Sequence, residues 1–253
     1  MRVFAISDIH VDYDVNMRWV HGLSSADYRD DLLILAGDVT HRPRLLAECI
    51  GAFAHRFAQV LFVPGNHDLW VLGESPEKHS LHKFREVADI ARDCGASMAP
   101  YVRERTAIVP LLGWYDYSFG EPTDELLQMW ADFRACRWPG NDGPAEIAGM
   151  FARMNVDPPG GEPRRTITFS HFLPRIDLVP LYVPRKHRAL DPVLGSVRIE
   201  EQLRRFAPEI HVYGHSHINR SVRIGGVRYV NNAFGYPQES AIAAKRLLCI
   251  DEI

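Results

Sequence analysis

Val60-Leu61-Phe62-Val63-Pro64-Gly65-Asn66-His67-Asp68 is the stretch on which the reading of this chain turns. Four apolar, β-favouring residues suit a strand buried on both faces, and Pro64-Gly65 brings it to a stop. Gly65 is expected to take a backbone angle that other residues avoid. An amide, an imidazole and a carboxylate follow at once, so three kinds of polar chemistry are held on a rigid platform. Asn and Asp are also ordinary turn residues. The stretch therefore acquires meaning only from the rest of the chain.

The same layout recurs on both sides of it. Val3-Phe4-Ala5-Ile6 reads as a buried strand and runs into Asp8 and His10. Those two residues are two apart, so in extended backbone both project to one side; they form either half of a metal site or a plain capping or salt-bridging pair. Asp31–Ala36 is a second apolar run and ends in Gly37-Asp38. Thr166–Ser170 leads to His171, and Glu209–Tyr213 leads to Gly214-His215-Ser216-His217. Between these strands, Leu45–Phe57 has helical spacing, with Pro43 suited to its start. Residues 76–94 place Leu81, Phe84, Val87, Ala88 and Ala91 on one helix side, with Gly95 as the stop. Strand, helix, strand implies right-handed crossovers and a largely parallel sheet. A strand over 107–112, a helix near 198–206, a hairpin at 221–224 and 227–231 around Gly225-Gly226, and an edge strand over 246–250 complete the pattern.

One region has a different texture. Trp114, Tyr115, Tyr117, Phe119, Trp130, Phe133 and Trp138 crowd among Asp, Gly and Pro. Helical pieces are expected near 123–136 and 145–154, followed by a flexible break at Pro158-Pro159-Gly160-Gly161. Residues 114–163 read as a cap-like insertion over one edge of a single 253-residue domain, with most of the aromatics serving as core. The basic run Arg175, Arg185, Lys186, His187 and Arg188 reads first as a solvated face.

Composition narrows the function classes. A net charge of −3 gives no overall drive toward nucleic acid or an anionic membrane. No apolar run is long enough to span a bilayer, and no signal-peptide layout precedes the first strand. Cys49, Cys94, Cys136 and Cys249 are scattered without C-x-x-C spacing, which suits a reducing cytoplasm rather than a disulfide framework.

Five strand ends, far apart in sequence, thus finish in metal-type ligands: Asp8/His10, Asp38, Asn66/His67, His171 and His215/His217. Strand C-termini of α/β sheets meet at one edge, so these groups are expected to share a site. Carboxylate, imidazole and amide oxygen without thiolate suit Mn²⁺, Fe or Zn²⁺, with Mn²⁺ favoured. There are too many ligands for one tetrahedral ion, which points to a two-metal centre of the kind that hydrolyses phosphoesters.

The ordered set D-x-H, G-D, G-N-H-D, lone H and G-H-x-H, spanning residues 8 to 217, resembles the calcineurin-like metallophosphoesterase superfamily. The resemblance implies an α/β/β/α four-layer sandwich of two mixed sheets, with the dimetal site at their strand C-terminal edges. It implies that Asp8, His10 and His217 hold one metal, that Asn66, His171 and His215 hold the other, and that Asp38 bridges them. A metal-bridged hydroxide would then attack a small phosphate mono- or diester in line, with His67 protonating the leaving oxygen. The protein phosphatases of this superfamily carry G-D-x-x-D-R-G, whereas this chain has Gly37-Asp38-Val39-Thr40-His41-Arg42-Pro43. Arg42 keeps the arginine position as a candidate phosphate contact. His41 is no carboxylate, so something else must orient His67, and Asp68 beside it is the candidate. Two other readings stand: a nuclease or nucleic-acid phosphatase, for which 175–188 is the available basic patch, and a non-catalytic scaffold resembling a retromer subunit of the same fold.

Overall fold

The computed structural model describes residues 1–140, 142–159 and 165–253. Its elements follow the apolar runs closely. β1 (Arg2–Ile6), β2 (Leu32–Leu35) and β3 (Gln59–Phe62) alternate with α1 (Asp14–Gly22) and α2 (Pro43–Ala54), and α3 (Ser80–Asp93) leads to β4 (Ala96–Ser97). Then come β5 (Tyr101–Arg103), β6 (Thr106–Pro110), α4 (Asp124–Met129), α5 (Asp132–Ala135) and α6 (Pro144–Met154). The chain closes with β7 (Arg165–Phe169), α7 (Asp191–Leu194), α8 (Val197–Arg205), β8 (Ile210–Tyr213), β9 (Arg220–Ile224), β10 (Val227–Asn231) and β11 (Leu248–Glu252).

Two mixed sheets result. One runs β11-β1-β2-β3-β4, parallel except for β11, which pairs antiparallel with β1. The other runs β5-β6-β7-β8-β10-β9, with β6, β7, β8 and β10 parallel and an antiparallel strand at each edge. Alternation along each strand sorts its side chains to two faces. Val3, Ala5, Leu32, Ile34 and Leu61 of the first sheet meet Ile108, Ile167, Phe169, Ile210 and Val212 of the second, closing a dry layer between the sheets. Each fully buried Val, Leu, Ile or Phe side chain among them contributes about 1.5–3 kcal/mol.

The opposite faces take the helices. Leu46, Cys49, Ile50 and Phe53, spaced three and four apart behind Pro43, form the inner stripe of α2. Together with Met17 and Val20 of α1 and Val87 and Ala91 of α3, they cover the outer face of the first sheet. Leu126, Ile147, Ala148, Phe151, Ile199 and Leu203 cover the outer face of the second. The architecture is the expected α/β/β/α sandwich. No described helix is long and apolar enough to cross a membrane.

One difference from the sequence reading has a clear physical cause. Helix α1 went unread because Asp14–Gly22 buries only Asn16, Met17 and Val20, too sparse an apolar stripe to declare itself. As expected, most of the aromatics of 114–138 serve as core. Trp114 and Tyr115 are fully buried against Phe151 and Phe172 on the outer face of the second sheet, in the cluster that also holds Ala107 and Val109 of β6. Of the expected break at 158–161, Gly160 and Gly161 lie outside the described residues.

Candidate metal centre

The C-terminal ends of β1, β2 and β3 in one sheet and of β7 and β8 in the other open onto a single point. Asp8, His10, Asp38, Asn66, His171, His215 and His217 all follow these ends within a few residues, and all are buried. The chain does not leave the strands in extended conformation. Asp8, His10, Asp38, His215 and His217 have φ of 52°, 42°, 56°, 67° and 55°, so they make up most of the non-glycine residues at positive φ among those described. Asp8 and His10 therefore reach a common site through a left-handed turn, not through the alternation of a strand. Such angles cost about 1–3 kcal/mol each and persist only where the surroundings hold them. Here they are held: Asp8 N–H donates to Gly37 O at 2.9 Å, His10 N–H to Asp38 O at 3.1 Å, and His215 N–H to Asp8 Oδ1 at 3.0 Å.

The glycines of the motifs serve close approach. Gly65 is not at positive φ; a Cβ there would collide with Asp38 Oδ1 and lie 2.7 Å from His171 Cε1. Gly37 has both constraints, with φ of 85° and a would-be Cβ 2.6 Å from His171 Nδ1.

The donor atoms form two overlapping sets. Asn66 Oδ1 and His215 Nδ1 each lie 3.2 Å from His171 Nε2, and Asp38 Oδ2 lies 3.4 Å from it. His10 Nε2 is 3.1 Å and Asp8 Oδ1 is 3.3 Å from His217 Nε2. Asp38 belongs to clusters on both sides, since it groups with His171 and His215 and also with His10 and His67.

The far nitrogens of three imidazoles face oxygens that can only accept. His171 Nδ1 donates to Ala36 O (2.9 Å), His215 Nε2 to Val193 O (3.1 Å), and His217 Nδ1 to Glu239 Oε2 (2.6 Å). Each of these rings thus turns its other nitrogen inward, as a metal-binding histidine does when a carboxylate or carbonyl fixes its tautomer.

The electrostatics agree. Burial pulls the His10 and His215 imidazoles down to about 3, so both are neutral. Burial also acts against charge on His171, but Asp38 and then Asp8 outweigh it and raise that ring to about 9. His217 is raised to about 10 in the same way, by Asp8 and Glu239 against burial. Asp8, despite burial, is carried down to about 2 by His217. Asp38 is likewise held well below its usual range by His171 and His67. Without a metal, the protons of His171 and His217 balance the two ionised carboxylates, and a divalent ion at this point would take the place of those protons. The residues fit divalent metal ions.

Three expected site residues have distinctive settings. His67 opens a 3₁₀ turn, its N–H donates to Asp38 Oδ1 (2.9 Å), and its Nε2 lies 4.0 Å from Asp38 Oδ2. Its ring stacks on Trp70 with centroids 3.7 Å apart and meets the edge of His10.

Asp68 does not take the orienting position beside that ring. Its carboxylate accepts N–H bonds from Asp38, Val39, Thr40 and Gly65 at 2.8–2.9 Å, tying two site loops together. Burial, and next the charge of Asp38, push it up to about 7. Adjacent residues point apart here, because the 3₁₀ turn rotates them away from each other. Arg42 sits at the start of α2, largely exposed, with its guanidinium 3.4 Å from Asp12. In the basic run, Arg175 pairs with Asp177 and Glu200, and Arg188 pairs with Asp191, so both are neutralised within the fold.

Four supporting residues escaped the sequence reading. Trp70 lies so close to the Asn66-His67 turn that its position was a usable signal. Glu239, which accepts from both His217 Nδ1 and Tyr236 N–H, gave none. Tyr236 packs over His10 and His217 with centroids 4.5 and 4.9 Å away. Asp132, at the head of α5, accepts from Asn66 and Trp70.

This fold and site define a metal-dependent phosphoric ester hydrolase. The model of the calcineurin-like phosphoesterase family matches residues 1–219, and the chain belongs to that family. It is similar to the [acyl-carrier-protein] phosphodiesterase PptH of Mycobacterium tuberculosis, at 27% identity over 94% of this chain and 78% of that protein. The crystal structure of the phosphopantetheinyl hydrolase PptH from Mycobacterium tuberculosis superposes with a TM-score of 0.72 at 25% identity, covering 94% of this chain and 90% of that one.

Proposed function

We propose that this protein is a phosphodiesterase that cleaves the diester joining a phosphopantetheinyl group to a carrier protein. The convergence of Asp8, His10, Asp38, Asn66, His171, His215 and His217 on one point carries the phosphodiesterase reading. The similarity to PptH directs it to a protein-borne diester in place of the small phosphorylated substrate that the sequence suggests.

In this reading Asp8, His10 and His217 would hold one ion and Asn66, His171 and His215 the other, with Asp38 grouped with ligands of both sets. Two divalent ions held there, Mn²⁺ favoured, would supply Lewis-acid polarisation of the phosphoryl oxygens and activation of water at neutral pH. The chain's own groups do the rest. His67, stacked on Trp70 and a fifth exposed at its side chain, faces the opening and passes a proton to the leaving oxygen. Asp68 fixes the Gly37–Thr40 loop against the Gly65–His67 turn, so Asp38 and His67 keep their spacing. Arg42 stands near the rim as a candidate phosphate contact once released from Asp12.

A mostly apolar cleft of about 460 Å³ opens beside the centre, where Ser216 and Glu239 form part of the wall and Val179, Val183, Leu194 and Ile242 much of the rest. It suits the pantetheine arm, whose length is largely uncharged. Leu181, Tyr182 and Ile242 stand exposed around it, a protein-facing apolar rim. The four free cysteines suit a reducing cytoplasm.

The test is incubation of Mn²⁺-loaded protein with a phosphopantetheinylated acyl carrier protein, read by intact-protein mass spectrometry. Conversion to the unmodified carrier with release of phosphopantetheine is expected, and His67→Ala is expected to stop it. Hydrolysis of bis(p-nitrophenyl) phosphate with the carrier left intact would refute the carrier assignment.

A further inference from the structure

One carboxylate reaches three sides of the centre without belonging to it. Asp132 is buried at 2% exposure, and the partners of its two oxygens are neutral donors. Oδ1 accepts from Asn66 Nδ2 at 2.9 Å and from Trp70 Nε1 at 2.7 Å, and Oδ2 accepts from Trp130 Nε1 at 2.8 Å.

Each of these bonds fixes something at the site. An asparagine amide can present either its oxygen or its nitrogen to the centre. A carboxylate can only accept, so it captures Asn66 Nδ2 and turns Oδ1 inward, to 3.2 Å from His171 Nε2. The Trp70 indole is the surface on which His67 stacks, and its N–H is anchored to the same oxygen. Trp130 stands edge-on to His215, with centroids 5.9 Å apart and planes at 87°. Position 41 carries a histidine whose ring lies 6.1 Å from Trp70.

We infer that Asp132 is a positioning residue of the centre: it sets the ligating face of Asn66 and braces the Trp70 platform under His67. This rests on the assignment of Asn66 as a ligand and His67 as the proton donor. A merely structural Asp132 would pin α5 to the Asn66–Trp70 turn, and its loss would lower stability without favouring one metal over the other.

The experiment compares wild type, Asp132→Leu and Trp70→Phe as full chains. Stepwise Mn²⁺ titration of metal-stripped protein is followed by calorimetry, and kcat and KM are measured on bis(p-nitrophenyl) phosphate. Leucine is close to aspartate in shape and has no acceptor, so in Asp132→Leu the Asn66 amide and the Trp70 indole both lose their partner. One ion should bind as in wild type and the other roughly 10- to 100-fold more weakly. Trp70→Phe keeps the stacked ring and removes only the anchor; both ions should bind, with kcat down about tenfold and KM unchanged.

A folded Asp132→Leu protein that binds both ions with wild-type affinity would overturn the inference. If that variant does not fold, an unchanged kcat in Trp70→Phe overturns it. Wild-type protein that binds two ions and cleaves no phosphodiester would instead overturn the proposed function, and the metal titration would still decide the role of Asp132.

Discussion

Two regions meet at the metal centre and supply different things. The strand-end turns supply all the inward-facing donors, from Asp8 to His217, within a few residues of β1, β2, β3, β7 and β8. The aromatic segment from Trp114 to Trp138 is not among the donor clusters, yet its Asp132 faces Asn66 and Trp70, and its Trp130 flanks His215. The donors are local features of sequence, because each needs only an apolar run, a stop and a polar residue. Their orientation is a long-range feature, supplied by groups distant in sequence that become neighbours only when the second sheet is covered. The first region is therefore expected to govern metal occupancy and chemistry, and the second stability and, through Asp132, the alignment on which one ion depends.

Substitutions can break that contrast, and the largest effect belongs to the turns. Gly65→Ala places a methyl group against Asp38 and His171. It should abolish metal uptake and activity together, as measured by elemental analysis and phosphodiester hydrolysis. His67→Ala should leave metal content unchanged and lower kcat by about 10²- to 10⁴-fold; loss of metal instead would make His67 a ligand.

The aromatic segment should answer differently. Trp114→Ala, deep in the cluster with Phe151 and Phe172, should cost about 3–5 kcal/mol in urea unfolding, with metal affinity of the remaining folded protein intact. Glu239→Gln tests an outlying residue that behaves like the turns, because its carboxylate fixes His217. Metal affinity should fall roughly 10- to 100-fold, with little change in stability.

The smallest effect is a pH dependence away from the centre. His211 is fully buried between Thr168 and Ser170, and burial lowers it from 6.5 to about 3. It is neutral when folded and protonates readily when unfolded, so the unfolded chain gains protons as pH falls below 6.5. This residue's contribution to stability is thus complete above pH 6.5 and lost toward pH 3, by at most about 1.4 kcal/mol per pH unit. His211→Gln should flatten that part of the stability curve, and an unchanged slope in urea melts at pH 7, 6 and 5 would remove His211 from the account.

The same contrast explains what could be read in advance. The site-bearing strands, the flanking helices α2, α3, α6 and α8, and the meeting of five strand ends follow from apolar runs and their stops, whereas the division into two sheets is implied only by the family resemblance. What could not be read is conformation inside the turns and contact across the fold. Asp8 and His10 meet through positive φ, Gly65 is required by crowding from Asp38 and His171, and Asp68 turns to backbone amides while Trp70 takes the place beside His67. Glu239 and Asp132 lie 22 and 66 residues from the groups they orient, with nothing in their own neighbourhoods to mark them.

The most direct test follows bis(p-nitrophenyl) phosphate hydrolysis while metal-stripped protein is titrated with Mn²⁺, with bound metal measured in the same samples. Activity should be nil without metal, should rise in step with uptake to two ions per chain, and should be lost along with the second ion in His171→Ala. Full uptake without hydrolysis, or hydrolysis that survives stripping, would contradict the claim that these strand ends form one metal-dependent phosphodiesterase centre.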